Sequence, residues 1–156
     1  MKKLAAIALG SNLESKFGGR EANLWEAVER IRELGEVKAV SSSYDTEPVG
    51  YVDQPRFLNA ALLLETSLEP TELMRSLLNV EQAMGRERVG GVAKGPRVID
   101  LDLLLHGQAV MNTTELTLPH PEMMGRRFVL EPLAEIAPGL VHPVLGLTVR
   151  EMLARV

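Results

Sequence analysis

Asp100 and Asp102 stand two apart in the segment Gly95-Pro96-Arg97-Val98-Ile99-Asp100-Leu101-Asp102-Leu103-Leu104. In an extended strand, side chains i and i+2 share a face. Both carboxylates then project together, while Ile99, Leu101 and Leu103 turn to a core. Adjacent carboxylates repel, and burying them costs several kcal/mol unless positive charge lies between them. A hard cation supplies that charge, and Mg²⁺ held by one or two carboxylates is commonly completed by substrate phosphates. The chemistry suggested is phosphoryl transfer. A solvated strand face paired with arginines is the plainer alternative, and a bare Asp-x-Asp does not exclude it.

The surrounding residues suit a phosphate ligand. Arg86 and Arg88 open a stretch containing Gly90, Gly91 and Gly95, and Arg97 closes it. Guanidinium forks match phosphate oxygens and stay charged, so a basic loop could close over a polyphosphate and exclude water. His120, between two prolines and followed by Arg126, could donate to a phosphate or be purely structural. Phe57 and Asn59 fall on one strand face. A ring beside an amide can stack on a flat heterocycle and bond its edge, with Phe128 as the opposing plane. The alternative is that both rings are core, as Phe usually is. Glu81 lies one position off an apolar helical stripe; it could reach a nucleotide, but an exposed side chain is the plainer expectation. Gly10-Ser11-Asn12 matches no phosphate-loop motif, and neither a Walker lysine pattern nor Gly-x-Gly-x-x-Gly is present.

These residues need a scaffold. Lys3–Leu9 reads as a strand broken by Gly10-Ser11-Asn12. Leu24, Ala27, Val28, Ile31 and Leu34 follow helical spacing, with Gly35 as a C-cap. Val37–Tyr44 reads as a second strand, 46–56 as a loop around Pro48, Gly50 and Pro55, and Phe57–Thr66 as a third strand. Pro70 starts a helix that carries Leu73, Leu77, Val80 and Met84 and ends at Gly85. The loop 86–96 leads to the strand Val98–His106. After Gly107 and Gln108, Ala109–Met111 reads as a short strand, Phe128–Ile136 as a helix, and Thr148–Ala154 as a last short helix. The order β-α-β-β-α-β predicts an α+β fold with a ferredoxin-like core. Two helices cover one face of an antiparallel sheet and the C-terminal segments cover the other, making three αβα layers. This architecture serves many functions and decides none.

Composition narrows the classes. The 156 residues fit one domain spanning 1–156. The formal net charge of −4 does not favour nucleic-acid or acidic-membrane binding. With no cysteine, disulfides and thiol chemistry are excluded, which fits a cytoplasmic protein. The apolar run Leu4–Leu9 is far too short to span a bilayer and lacks a signal-peptide pattern.

Taken together, the motifs resemble the 6-hydroxymethyl-7,8-dihydropterin pyrophosphokinase family of folate biosynthesis. The resemblance runs nearly end to end. It comprises Ala8-Leu9-Gly10-Ser11-Asn12-Leu13, Ser42-Ser43-Tyr44 with Thr46, and Asp53-Gln54-Pro55 with Phe57-Leu58-Asn59-Ala60-Ala61. It continues through Gly85-Arg86, Gly95-Pro96-Arg97 to Asp102, Leu118-Pro119-His120-Pro121, Arg126 with Phe128, and Glu135-Ile136-Ala137-Pro138.

The resemblance implies transfer of the β,γ-diphosphate of ATP to the pterin hydroxymethyl group, releasing AMP. It implies that Asp100 and Asp102 hold a pair of Mg²⁺ ions, with Arg86, Arg97, Asp100 and Asp102 central to catalysis. Arg86, Arg97 and His120 would contact the triphosphate, with Arg88 and Arg126 as mobile auxiliaries. Glu81, near the Leu103 and Thr117 backbone, would complete the ATP site. Phe57 and Phe128 would sandwich the pterin, with Asn59, Asp100 and the backbone around Thr46, Val49 and Gly50 reading it. The expected partners are these two small molecules, with no nucleic acid and no membrane, and the expected state is monomeric. Two departures stand out. Ala93-Lys94 replaces the aromatic or amide residue and preceding base that relatives often have before Gly-Pro-Arg, in a slightly longer loop. Leu78 is apolar where some relatives carry an amide.

Three other readings compete. A different metal-dependent phosphotransferase or phosphohydrolase could use the Asp pair. A ligand-binding module would bind without needing both aspartates, and the paired carboxylates with clustered arginines argue against it. A nucleic-acid binder is disfavoured by acidity and by the lack of an aromatic-basic strand motif.

Overall fold

Strand alternation divides the interior into two apolar layers. In the strand Phe57–Thr66, Leu58, Leu62 and Leu64 enter one layer, and Ala61 and Leu63 enter the other. The computed structural model describes residues 1–48, 53–85 and 96–156. Within them the chain runs β1 (Lys3–Ser11), α1 (Arg20–Ile31), β2 (Glu36–Val40), β3 (Tyr44–Thr46), β4 (Phe57–Thr66), α2 (Pro70–Ala83) and β5 (Asp100–His106). It continues through β6 (Met111–Asn112), β7 (Thr117–Leu118), α3 (Arg127–Ile136) and α4 (Val149–Leu153).

The main sheet has the order β2-β4-β1-β5, with β3 also pairing β4. All its pairings are antiparallel. The β1-α1-β2 and β4-α2-β5 units interleave, which is the split βαβ order. Leu24, Ala27, Val28 and Ile31 of α1, with Leu73 and Leu77 of α2, pack on one face. Val129, Leu130 and Leu133 of α3, with Val149 and Met152 of α4, pack on the other. Each fully buried leucine stabilises by roughly 1.5–3 kcal/mol, an upper figure. Exposed ion pairs such as Arg32–Glu29 contribute about 0–1 kcal/mol each. The two apolar layers therefore hold the fold.

Several boundaries differ from those predicted. Gly10 and Ser11 do not break β1; both remain paired with β4. The expected strand over 37–44 is two strands: the Ser41 N–H still donates to the Ala61 carbonyl, but the Ala61 N–H turns to Ser41 Oγ, pairing stops through Ser43, and β3 rejoins β4 farther along. Thr46 therefore lies on a strand, opposite Phe57, and not in a loop. The last sheet strand begins at Asp100 rather than Val98, the short strand at 109–111 lies at Met111–Asn112, and it pairs with the unpredicted β7. Gly35 has extended backbone and no left-handed cap geometry. Its requirement is a close approach, since a Cβ there would collide with the Glu65 carbonyl oxygen.

Candidate active site

The site occupies the end of the α3-facing side of the sheet, where the apolar inventory changes. Leu63, Leu104 and Leu105 fill that face under α3 and α4. Toward the other end the same face carries Asp100 and Asp102 on β5, Ala8 and Gly10 on β1, and Phe57 and Asn59 on β4. Two rows of facing residues cross the sheet there, Asp100–Gly10–Asn59–Tyr44 and Asp102–Ala8–Ala61. The central strand supplies only small side chains to these rows. A Cβ at Gly10 would lie 3.3 Å from Asn59 Oδ1 and 3.7 Å from Phe57 Cδ1. The small floor leaves a cavity of about 280 Å³.

Thr46, Phe57, Asn59, Arg97, Asp100, Asp102, His120, Arg126 and Phe128 all line this cavity. Glu47 and Glu122 join them at the wall, neither singled out from sequence. Arg97 Nη1 lies 3.2 Å from Asp100 Oδ1. Its guanidinium sits 5.9 Å from the Phe57 ring centroid, and that of Arg126 sits 5.6 Å from the Phe128 centroid. Arg126 also pairs with Glu122. Asn59 Nδ2 donates to Thr46 Oγ1, orienting the amide across the β3–β4 pair.

A register shift in β5 places His120. Ile7 pairs with Leu103 while Ala6 pairs with Leu105, so Leu104 is extra. The shift sends Leu104 and Leu105 into the same layer. The Leu104 carbonyl accepts the His120 N–H at 2.9 Å, which fixes that residue beside the aspartates. His120 Nδ1 accepts from the Glu122 N–H at 3.2 Å. The neutral ring thus carries its proton on Nε2. Burial, and then the Arg126 charge, push the His120 pKa below the ordinary histidine value, against a smaller opposing effect of Asp100.

Asn12, quoted in the motif without a role, is the knot beneath Arg97. Its amide donates to Gln54 Oε1 at 2.8 Å and Pro55 O at 3.0 Å. Its Oδ1 accepts the Arg97 N–H at 2.8 Å. The Gly10-Ser11-Asn12 stretch therefore acts as a backbone latch. A signal was available in sequence: a polar amide following an apolar strand needs partners if buried, and Asn12 is buried.

Glu81 is not exposed as its position off the helical stripe predicted. It is buried, and its Oε2 accepts the Leu101 N–H at 2.7 Å. This bond ties α2 to β5 between the two aspartates. Glu81, Leu103 and Thr117 do not line the cavity. Leu103 faces the α1/α2 layer, and Thr117 lies on β7 beside β5. Val49, Gly50, Arg86, Arg88 and the Ala93-Lys94 departure lie outside the described residues. Leu78, the other departure, is exposed on α2.

The donor set suits a cation shared with a ligand. Among the described residues no group of three or more His, Cys, Asp or Glu could hold a metal alone. Two carboxylates on one face leave the remaining positions to ligand oxygens and water, the arrangement Mg²⁺ tolerates.

Comparison with known proteins points to one family. The family model described as 7,8-dihydro-6-hydroxymethylpterin-pyrophosphokinase (HPPK) matches residues 6–138. The chain is 46% identical over 138 residues to the Bacillus subtilis 2-amino-4-hydroxy-6-hydroxymethyldihydropteridine pyrophosphokinase, covering 87% of this chain and 79% of that protein. It is 41% identical over 144 residues to the Folic acid synthesis protein fol1 of Pneumocystis carinii, covering 92% of this chain but spanning only 19% of that protein. The solved Plasmodium falciparum HPPK-DHPS wild type with pteroate superposes with a TM-score of 0.76 at 15% identity, over 99% of this chain and 42% of that one, a likeness of fold. By sequence match over most of its length, the chain belongs to the 7,8-dihydro-6-hydroxymethylpterin-pyrophosphokinase family.

Proposed function

We propose that this cavity transfers the β,γ-diphosphate of ATP to the hydroxymethyl group of 6-hydroxymethyl-7,8-dihydropterin, releasing AMP, as a step of folate biosynthesis. The observation that carries the reading is that a single cavity gathers both sets of residues. Phe57, Asn59, Thr46 and Phe128, which suit a flat heterocycle, line it together with Asp100, Asp102, Arg97, His120 and Arg126, which suit a polyanion.

In this reading Phe57 and Phe128 stack on the pterin, and the Asn59 amide, held by Thr46, bonds its edge. The family resemblance assigns the backbone of Val49 and Gly50 to the pterin as well. The adenine end of ATP runs along the outer edge of β5 past Glu81, Leu103 and Thr117. His120 Nε2–H donates to a phosphate oxygen. Arg97 and Arg126, with Arg86 and Arg88, take the remaining charge, and their guanidinium groups stabilise it as the bond to the leaving AMP breaks. Asp100 and Asp102 would hold Mg²⁺, which when bound neutralises phosphate charge and aligns the reacting oxygens. The small Ala8–Gly10 floor lets the pterin hydroxyl lie beside the aspartates for in-line attack on the β-phosphorus. No side chain is assigned as general base.

Residues 1–156 then act as one catalytic unit, a monomer in the cytoplasm. Among the described residues no helix is long and apolar enough to cross a membrane. Mass analysis of the pterin product after incubation with Mg-ATP tests the proposal. Gain of a diphosphate is expected. A monophosphate, or nucleotide hydrolysis independent of pterin, would instead indicate another metal-dependent phosphotransferase or phosphohydrolase.

A further inference from the structure

Glu135 makes an arrangement that the proposed chemistry does not use. Its Oε2 accepts the Ser42 N–H at 2.9 Å, and its Oε1 accepts Ser42 Oγ at 2.6 Å and the Tyr44 hydroxyl at 2.7 Å. No cation among the described residues pairs with it. Glu135 lies in the last turn of α3, where the helix dipole disfavours negative charge. Its three hydrogen bonds offset that cost. They hold the carboxyl pKa below the ordinary range, and the bond to Glu135, then burial, pushes the Tyr44 hydroxyl above its own.

The consequence is geometric. Phe128 and Glu135 lie a heptad apart on α3, hence on nearly one helix face. Ser42 and Tyr44 introduce β3, whose register sets Tyr44 opposite Asn59 and Thr46 opposite Phe57. Asp45, between them, is held from the other side by Arg20 and Arg56. The single carboxylate thus links the helix bearing one ring to the strand that orients the other ring and the amide. We propose that Glu135 is a positioning residue of the heterocycle slot. It sets the separation between the Phe128 wall and the Phe57–Asn59–Thr46 wall. This rests on the pterin reading of that slot.

The test compares Glu135→Ala, Glu135→Gln and Tyr44→Phe with Thr148→Ala. The last loses the N-cap of α4, away from the cavity. Steady-state KM is measured for 6-hydroxymethyl-7,8-dihydropterin and for Mg-ATP, together with Tm. Glu135→Ala should raise pterin KM by about tenfold, the scale of one hydrogen bond to a charged group. Its Mg-ATP KM should stay within about twofold of wild type on that same scale. Glu135→Gln, which keeps one acceptor oxygen, and Tyr44→Phe should fall between. Thr148→Ala should lower Tm with both KM values unchanged. Wild-type pterin turnover with an unaltered pterin KM in Glu135→Ala and Glu135→Gln overturns the inference alone. So does a parallel rise in both KM values, or a rise in Thr148→Ala matching its loss of Tm. Absence of pterin turnover in wild type overturns the reading of the slot, and this inference with it.

Discussion

At the residue scale, His120 and Gly10 are the sharpest points. His120 is partly buried beside Arg126, so it is neutral at neutral pH in the free protein, with Nδ1 occupied by the Glu122 N–H. A triphosphate placed against its Nε2–H favours the charged form. The predicted outcome is an NMR titration midpoint below 6.5 without ligand, rising when a nonhydrolysable Mg-ATP analogue binds. An unmoved midpoint would remove His120 from the phosphate site. Gly10 is the gap between Asp100 and Asn59. Gly10→Ala presses on Asn59 Oδ1 and Phe57, so pterin KM should rise by about tenfold with the fold retained, a loss on the scale of one polar contact. An unchanged KM in Gly10→Ala would mean that the floor of the slot lies elsewhere. The Asp pair was legible because i and i+2 share a strand face. Glu81 was not, because helical spacing alone cannot show that a strand N–H at Leu101 waits beside the helix.

At the element scale, the strands were read largely correctly in their centres and less well at their ends. The apolar content of β1 and β4 marks them plainly. The division of β2 from β3 was hidden because Ser41, Ser42 and Ser43 are as compatible with a strand as with a bend. What bends the chain there is long-range: Ser41 Oγ accepts the Ala61 N–H, and Ser42 meets Glu135. The register shift at Leu104 also left no mark in a run of three leucines. Gly35 gives this scale its test. It is read easily as a helix cap, yet it is required by the Glu65 carbonyl at the α1–β2 junction. Gly35→Ala should therefore destabilise by about 2 kcal/mol, as overpacking against backbone does. Chemical denaturation measures it, and a gain in stability would show that the junction can move aside.

At the scale of the whole molecule, the three-layer arrangement follows from strands that are apolar on both faces. A sheet buried on both sides needs two helical layers, and the C-terminal third supplies the second in α3 and α4. The order β-α-β-β-α-β was legible from the change between strand and helix periods. That the second layer would stop short of Asp100 and leave a cavity was not, since it depends on where α3 docks. Burial also shapes the pH response of the whole fold. It lowers the pKa of both His120 and His142, so the unfolded chain binds those protons more tightly. Their contribution is present above the ordinary value of 6.5 and is lost as pH falls toward the lowered folded values. Tm at constant ionic strength should therefore increase between about pH 5 and about pH 7. A flat profile would mean that neither ring is held neutral by the fold.

The proposed diphosphate transfer at the Asp-bearing end of this cavity has a direct test. The direct measurement is AMP formed per pterin diphosphate for wild type and Asp102→Ala, with Tm recorded for both. Equal amounts of the two products are expected in wild type, formed only with both substrates and a divalent cation. Turnover in the variant should fall by about two or more orders of magnitude, as loss of a metal-binding or charge-stabilising group produces, with Tm little changed. AMP formation without pterin, or a folded Asp102→Ala turning over within a few-fold of wild type, would contradict it.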